Sequence, residues 1–500
     1  MVVRQRRSGW IIGRNLRCAL SRSALRLRRY TRAEAAATIA VSPSGQVRAP
    51  VWPRIWVRGN GGGGPLLLGF GRMESAISPA WLSEMRIDQR RLANGIDLAV
   101  LQIPGRPVAN LEIRVFAGYA YEDERYLGVA HLVEETLSKG TARRDGRALN
   151  DAFDEIGATH ASFTGRETLG FSSLCLPEFL PQTIALHGEM LSTPSFPDDA
   201  CEVAVELALQ SLSALQDDPS ELTKKLIYAQ AYGQPLGRHP LGERETLERT
   251  GREQIVAHWR RCFTPRRMQV AVAGAVDPTA VADQLEAAFS SLEASADSDE
   301  DEMCGLNIQF VPKYSHHEKE LEQEQVALCF PGSSADDPDY YVQKVAIGIL
   351  SGGMSGRLFT EVREKQGLVY WVGAWTDQPR VGGMVHVGAS TTPENLDRTY
   401  ETLIREVGRL ADDLTQSELD RAIAGLVTRA RTRGDVTRAR AAEAVEDLFY
   451  YGRVIPTDEK LARISAVTIR DIRDYLAAHP RDRLSVVTLG PQKLANGRMA

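Results

Sequence analysis

Between residues 95 and 156 the spacing of hydrophobic and polar positions changes from a strand-like to a helical period. The stretches GIDLAVLQIPG (95–105) and ANLEIRVFAG (109–118) are short, apolar and rich in β-branched residues, which is typical of strands. Residues 128–139 and 146–156 instead carry apolar side chains at helical spacing. The order of strands followed by helices predicts an α/β or α+β fold that begins after residue 85.

The same order recurs in the second part of the chain. A strand, an acidic turn and a helix follow one another again within residues 324–370. The strand-like RRMQVAVAGAVD (266–277) also has a counterpart in DRLSVVTLGP (482–491). We therefore expect a duplicated unit whose two copies face one another.

One segment interrupts these patterns and predicts the domain boundary. The sequence FSSLEASADSDEDEMCG (289–305) is acidic, rich in small residues and without periodicity. Such a segment buries too little apolar surface to fold, so it is typical of a solvated linker. We place the linker at residues 291–306, between an N-terminal domain, 73–290, and a C-terminal domain, 307–500.

Charge separates the first 72 residues from the rest of the chain. Residues 1–72 contain 14 Arg, no Lys and one acid, a net charge of +13, whereas the whole chain carries −5, which leaves −18 for residues 73–500. An Arg- and Ser-rich start is typical of an organelle targeting leader. A dispensable extension before Met73 and a basic nucleic-acid or membrane arm are the alternatives. We exclude residues 1–72 from the fold and expect no nucleic-acid partner for the acidic remainder.

Length and composition exclude several classes of protein. A chain of 500 residues with 43% hydrophobic and 25% charged residues suits a globular protein and excludes a peptide hormone or a disordered regulator. The six cysteines form no C-x-x-C pair, so neither a disulfide framework nor a thiolate zinc site is indicated. No apolar run approaches the roughly 18–20 residues that span a bilayer. We expect a soluble protein of the cytoplasm, or of an organelle matrix if residues 1–72 are a transit peptide.

The stretch GVAHLVEETLSKGT (128–141) carries the main chemical signal. Successive helical residues turn by about 100°, so His131 and Glu135 lie on one face, about one turn apart, and can reach a single ion. Glu134 lies near the same face, where it can orient a water molecule as a general base. The spacing predicts a metal site related to the H-x-x-E-H pattern.

This stretch resembles the signature G-x-A-H-x-x-E-H-x-x-F-K-G-T of the insulinase and mitochondrial-processing-peptidase family of zinc metallopeptidases. The resemblance continues through QDDPSEL (216–222), GRHPLGERETL (237–247), HWRRCFTPRRMQVAVAGAVD (258–277) and LSGGMSGRLFTEVREKQGLVY (350–370). It covers nearly all of residues 86–490. It implies an α+β fold of two homologous α/β-sandwich domains that face each other as a half-shell.

The resemblance also exposes departures from the family pattern. His131 matches the first zinc histidine and Glu134 the catalytic base, but the second histidine falls on Glu135, and the distant glutamate ligand falls on Ser211. A catalytic zinc needs three protein ligands, and a serine hydroxyl is a poor one. We therefore expect His131 and Glu135 to be the remnant of a zinc site, Glu134 to be a remnant base, and this chain to hold no zinc cofactor of its own.

Other residues offer ways to complete the site. A register shift in the downstream helix would bring Glu202 or Glu206 towards it, and His160 lies in a strand that the resemblance places near the helix. Either change would give an active zinc endopeptidase with an atypical H-x-x-E-E motif.

Arg363 and Tyr370 match an arginine and a tyrosine that, in this family, approach the scissile peptide from the C-terminal domain. A guanidinium and a phenol can donate hydrogen bonds to a substrate carbonyl. The resemblance thus implies a substrate-binding, non-catalytic subunit that acts on a peptide or protein substrate. Its partner would be a homologous subunit with an intact H-x-x-E-H motif and the zinc. A purely structural, core-type subunit of a larger complex is the remaining alternative.

Overall fold

Helices and two open β-sheets alternate along the chain in the computed structural model, which describes residues 85–292, 305–479, 481 and 483–495. The α+β fold predicted from the sequence is confirmed. All described residues belong to one compact unit. The predicted leader, 1–72, and most of the predicted linker lie outside the described residues.

The strands are β1 (Arg86–Arg91), β2 (Asp97–Gln102), β3 (Ala109–Val115), β4 (Thr159–Thr164), β5 (Leu169–Cys175), β6 (Met268–Gly274), β7 (Lys313–Glu318), β8 (Glu324–Gly332), β9 (Val369–Asp377), β10 (Gly383–Thr391) and β11 (Ser485–Gly490). The helices are α1 (Val129–Leu137), α2 (Gly146–Glu155), α3 (Leu180–Ser192), α4 (Asp198–Leu215), α5 (Pro219–Tyr232), α6 (Arg244–Leu247), α7 (Arg252–Cys262), α8 (Pro278–Ala288), α9 (Tyr340–Ser351), α10 (Leu396–Gly408), α11 (Gln416–Arg433), α12 (Thr437–Tyr451), α13 (Thr457–Ser465) and α14 (Ile469–Ala478). Within the described ranges, none of the helices is long and apolar enough to cross a membrane.

The first sheet has the strand order β1-β2-β6-β3-β5-β4. Strands β2 and β6 are parallel, and the other neighbours are antiparallel. The strand MQVAVAG, β6, is apolar except for Gln269 and is buried at every residue, as expected for a central strand. Strand β4, at the outer edge, is largely exposed and packs against α1. The helix that carries His131, Glu134 and Glu135 therefore lies beside an edge of the sheet.

The second sheet has the order β7-β11-β8-β10-β9. It repeats the order β2-β6-β3-β5-β4 of the first sheet strand for strand, with β11 and β7 as its parallel pair. Helix α9 follows β8 as α1 follows β3. The duplication expected from the sequence is therefore visible in the topology.

Two long helices cross from one repeat to the other. Helix α5 of the first repeat packs against β8 and β11 of the second sheet, whereas α12 of the second repeat packs against β2, β3 and β6 of the first. Ile227, Ala231 and Tyr232 of α5 share a buried cluster with Ala327, Cys329 and Val487. Ala441, Ala444 and Leu448 of α12 share another with Ala99, Leu101 and Ala271. Each helix thus completes a core of the opposite repeat.

The motif QDDPSEL fixes the start of α5. The Asp218 carboxylate accepts hydrogen bonds from the backbone N–H groups of Ser220 (3.0 Å) and Glu221 (3.1 Å), and Pro219 occupies the first helical position. Both features satisfy or remove helix N–H groups that would otherwise lack a partner. The register of α5 on the second sheet follows from this start.

A buried polar network anchors the far end of α5. The Tyr232 hydroxyl donates to Asp377 Oδ2 (2.5 Å) and lies 2.9 Å from His386 Nε2, and Arg166 Nη2 donates to the same carboxylate (2.7 Å). Burial alone would raise the pKa of Asp377, but the charge of Arg166 and the hydrogen bonds from Arg166 and Tyr232 together leave it below its ordinary value. Because the single Tyr232 proton goes to the carboxylate, the hydroxyl oxygen accepts from His386.

Candidate functional site

A buried carboxylate fixes the start of α1. Glu122 accepts hydrogen bonds from the backbone N–H groups of Gly128 (3.0 Å) and Ala130 (2.9 Å). Gly128 has a φ of 97°, a left-handed conformation that glycine adopts without strain. Burial raises the pKa of Glu122 to about 7, against the opposing effect of the two N–H groups. The helix therefore begins at a defined residue, and His131 follows in the first turn.

The structure brings His131, Glu134 and Glu135 together on α1. One ligand atom from each lies within 4.8 Å of the others, and all three side chains are at least half-buried. Across the described ranges, no other trio of His, Cys, Asp or Glu side chains satisfies this condition. The helical spacing predicted that His131 and Glu135 share a face, and Glu134 joins them as a third donor.

The Glu134 carboxylate is already engaged by the edge strand. It accepts hydrogen bonds from the hydroxyls of Ser162 and Thr164 on β4, the latter at 3.3 Å. His131 Nδ1 lies 3.6 Å from its Oε2 atom. Burial alone would raise the pKa of Glu134, but the His131 imidazole and the hydroxyls of Ser162 and Thr164 together leave it below its ordinary value. The carboxylate is thus held ionised and oriented.

The expected third ligand is missing from the cluster. Ser211, the residue expected at its position from the resemblance, is exposed on α4, and so are Glu202 and Glu206. Neither of these two glutamates joins His131 in the group of close His, Cys, Asp and Glu donors among the described residues. His160 does not join it either, because its ring stacks on Phe153 with 4.4 Å between the centroids.

These residues do not fit a catalytic zinc site. Such a site needs three protein ligands and, in addition, a free base that activates water. His131, Glu134 and Glu135 supply three donors only if Glu134 itself binds the ion, and it then ceases to be available as the base. With Glu134 as the base, only two ligands remain.

Arg363 and Tyr370 lie together on the surface of the second repeat. Arg363 belongs to a π-helical segment, Phe359–Glu364, and Tyr370 to the edge strand β9. The guanidinium carbon of Arg363 lies 5.4 Å from the centroid of the Tyr370 ring and 5.0 Å from that of Phe359. Tyr370 is 77% exposed. Both polar groups are therefore accessible to another molecule, and π-helical turns are frequent at functional sites.

Sequence reasoning missed the residues that surround these groups. The hydroxyls of Ser162 and Thr164 come from a strand about thirty positions away from Glu134, and no local spacing links them. The aromatic residues Trp371 and Trp375, next to Tyr370 on β9, also carried no recognisable motif. Their clustering on an exposed edge strand is the signal that could have drawn attention to them.

Comparisons with known proteins agree with this architecture. A family model described as insulinase (peptidase family M16) matches residues 98–244, and one described as the peptidase M16 inactive domain matches residues 250–426. An uncharacterized zinc protease of Rickettsia bellii is 26% identical over 408 residues, which cover 81% of this chain and 98% of the relative.

Two further proteins are similar over most of the chain. A probable mitochondrial-processing peptidase subunit beta of Arabidopsis thaliana is 24% identical, over 80% of this chain and 77% of the relative. The crystal structure of a peptidase M16 inactive domain from Pseudomonas fluorescens superposes with a TM-score of 0.74 at 20% identity, over 82% of this chain and 98% of that one. At this identity the structural likeness concerns the fold alone.

Proposed function

The chain belongs to the insulinase family, peptidase family M16, and on this premise we propose that it is the non-catalytic, substrate-binding subunit of a heterodimeric zinc endopeptidase. The observation that carries the proposal is the incomplete donor set on α1. The family resemblance puts Glu135 in the place of an imidazole and Ser211 in the place of a carboxylate, and Glu134, close to His131 and Glu135, cannot act as both ligand and base. The zinc would reside in a homologous partner with an intact motif.

Edge strands support the binding of an extended peptide. Strand β4 lies at the edge of the first sheet beside α1, and its topological counterpart β9 lies at the edge of the second and carries Tyr370. An edge strand offers backbone N–H and C=O groups to which an extended peptide can add as a further strand. Such binding does not require a metal, so it survives the loss of the ligands.

Arg363 and Tyr370 supply the contribution of this chain to the reaction. Both are hydrogen-bond donors, both are accessible, and the contact between them preorganises the pair. In the proposed heterodimer they donate to the carbonyl oxygen of the scissile peptide. Donors placed at this position stabilise the negative charge that develops on that oxygen.

The proposal is tested with the purified chain and a homologue that carries the intact H-x-x-E-H motif. We expect peptide hydrolysis only from the mixture. The double variant Arg363→Ala/Tyr370→Phe should lower kcat of the mixture by about a hundredfold, since loss of one preorganised donor has an effect of this order. Hydrolysis is measured with a quenched fluorescent peptide.

Arg470→Ala is the matched control, because the Arg470 side chain is 88% exposed on α14 and pairs with Asp474 at the surface. It should leave the rate unchanged. An unchanged rate with the Arg363/Tyr370 variant would favour a structural subunit.

A second candidate is an active zinc endopeptidase with an atypical H-x-x-E-E site. The proximity of His131, Glu134 and Glu135, within 4.8 Å of one another, is the observation in its favour. Hydrolysis by the chain alone, with zinc present and lost with His131→Ala, would establish this candidate in place of the first.

A further inference from the structure

A cavity of about 440 Å³ lies between helix α5 and the face of the second sheet that α5 covers. Glu221, Lys224 and Tyr228 of α5 line one wall. Trp371 and Trp375 of β9, with His386 of β10, line the other. We call it the tryptophan cleft. Its volume falls within the range of known ligand pockets, about 300–1,000 Å³.

The sheet wall of the cleft is an ordered aromatic surface. The ring centroids of Trp371 and Trp375 are 6.1 Å apart, and Trp375 stacks on His386 at 5.5 Å with an interplanar angle of 10°. A Cβ atom on Gly388 would meet the Trp371 ring at 3.0 Å and the Trp375 ring at 3.2 Å, so the glycine lets both indoles lie close to the strand. Trp371 nevertheless remains 46% exposed.

The interior of the cleft is uncharged. His386 is buried, and burial lowers its pKa to about 4, so the imidazole is neutral near pH 7. The charged residues in the lining, Glu221 and Lys224, pair with each other at 3.4 Å and are about half exposed. An aromatic, uncharged interior with a neutralised rim suits an apolar ring better than a cation or an anion.

The cleft lies next to a second cavity at the end of β4. This second cavity of about 330 Å³ shares Glu221, Lys224 and Tyr228 with the tryptophan cleft and is also lined by Thr164 and Gly165 at the end of β4. Thr164 is one of the two residues whose hydroxyls hold Glu134. A peptide that lies along β4 would therefore reach the second cavity, whose α5 wall also borders the tryptophan cleft.

From this geometry we propose that the tryptophan cleft is a specificity pocket for an aromatic side chain of the bound peptide. The inference rests on the proposed function, the binding of extended peptides. A phenylalanine or tryptophan ring inserted against Trp371 would take up offset-stacked or edge-to-face contacts and cover the exposed indole. The pocket would select peptides with an aromatic residue at the position that reaches it.

The test uses the full chain and fluorescein-labelled decapeptides of Ser, Gly and Ala with one central variable residue: Phe, Trp, Leu, Ala or Lys. Affinities are measured by fluorescence anisotropy. We expect the Phe and Trp peptides to bind about tenfold tighter than the Ala peptide, the effect of burying one aromatic ring. Trp371→Ala should reduce this preference to within about twofold, and Trp371→Phe, which keeps a ring, should retain most of it.

Leu207→Ala is the matched control, since Leu207 is an exposed apolar residue on α4 that does not line the cleft. It should leave the preference intact. Three outcomes would refute the aromatic specificity of the cleft without refuting peptide binding. They are equal affinities for all peptides, a preference for the Lys peptide, and an aromatic preference that survives Trp371→Ala. If no peptide binds, the proposed function fails and the pocket fails with it.

Discussion

Glu134 has two incompatible uses in the cluster on α1. As a ligand it would complete a set of three donors, and as a base it must remain free of the ion. The sequence predicted the shared face of His131, Glu134 and Glu135, because helical spacing alone determines it. The clamp by Ser162 and Thr164 could not be predicted, because it depends on which strand packs beside the helix.

We predict that restoring the two missing ligands restores zinc binding. The wild-type chain, dialysed against a weak chelator, should retain much less than one zinc per chain. The double variant Glu135→His/Ser211→Glu should retain about one, because it offers three protein ligands and leaves Glu134 free. Zinc is measured by atomic emission on the protein fraction after gel filtration.

Two control variants test whether zinc retention depends on the ligands at positions 135 and 211. Glu135→His alone should give intermediate retention, and Glu135→His/Ser213→Glu should resemble it, because Ser213 lies on α4 two residues from the required position. One zinc per wild-type chain, lost with His131→Ala, would contradict our account of the site.

At the scale of the element, the start of α1 depends on the ionisation of Glu122. Burial raises its folded-state pKa to about 7, above the ordinary value of 4.5, so between these pH values the folded chain holds more protons than the unfolded chain. The contribution of this group to stability is therefore complete below about pH 4.5 and is lost as the pH rises to about 7. His258 and Arg238 face the same carboxyl and oppose the shift.

We predict that Glu122→Gln removes this part of the pH dependence. The free energy of unfolding of the wild type, relative to the variant, should fall by on the order of 3 kcal/mol between pH 4.5 and 7.5. Urea unfolding followed by circular dichroism measures it. Glu124→Gln, at a side chain that is 82% exposed, should leave the profile unchanged. If the free energy of unfolding depends on pH in the same way in Glu122→Gln and in the wild type, Glu122 is not the source of this pH dependence.

The limits of sequence reasoning are clearest for α5 and α12. The apolar positions of the strands β2, β3 and β6 and of helix α1 were recognised from their periods, and the structure places these elements as expected. Periodicity shows which face of a helix is buried but not which sheet covers that face. The packing of α5 on the second sheet and of α12 on the first is a tertiary choice, and the two sequences do not encode it locally.

For the whole molecule, we predict that the two repeats do not fold independently. Residues 73–290 alone would leave Ala99, Leu101 and Ala271 without α12, and residues 307–500 alone would leave Ala327 and Cys329 without α5. Each half should therefore aggregate or bind the dye ANS strongly, because it exposes apolar surface. Co-expression of the two halves should give a soluble 1:1 complex by size-exclusion chromatography with light scattering.

A chain with a protease site inserted between residues 293 and 304 provides the control. Cleavage after folding should leave both fragments together, since the crossed helices and not the connecting segment hold them. Two soluble, monomeric halves that bind no dye would show that the crossed packing is dispensable.

The crossing of α5 and α12 has a consequence for how such a protein can change over generations. Removal of either repeat would expose an apolar face on the other, whereas His131, Glu134 and Glu135 lie within about one turn of a single helix, outside these two shared clusters. Natural selection for a soluble molecule therefore preserves both repeats whether or not hydrolysis persists. A protein built on this plan can therefore keep its fold when the residues of that turn change.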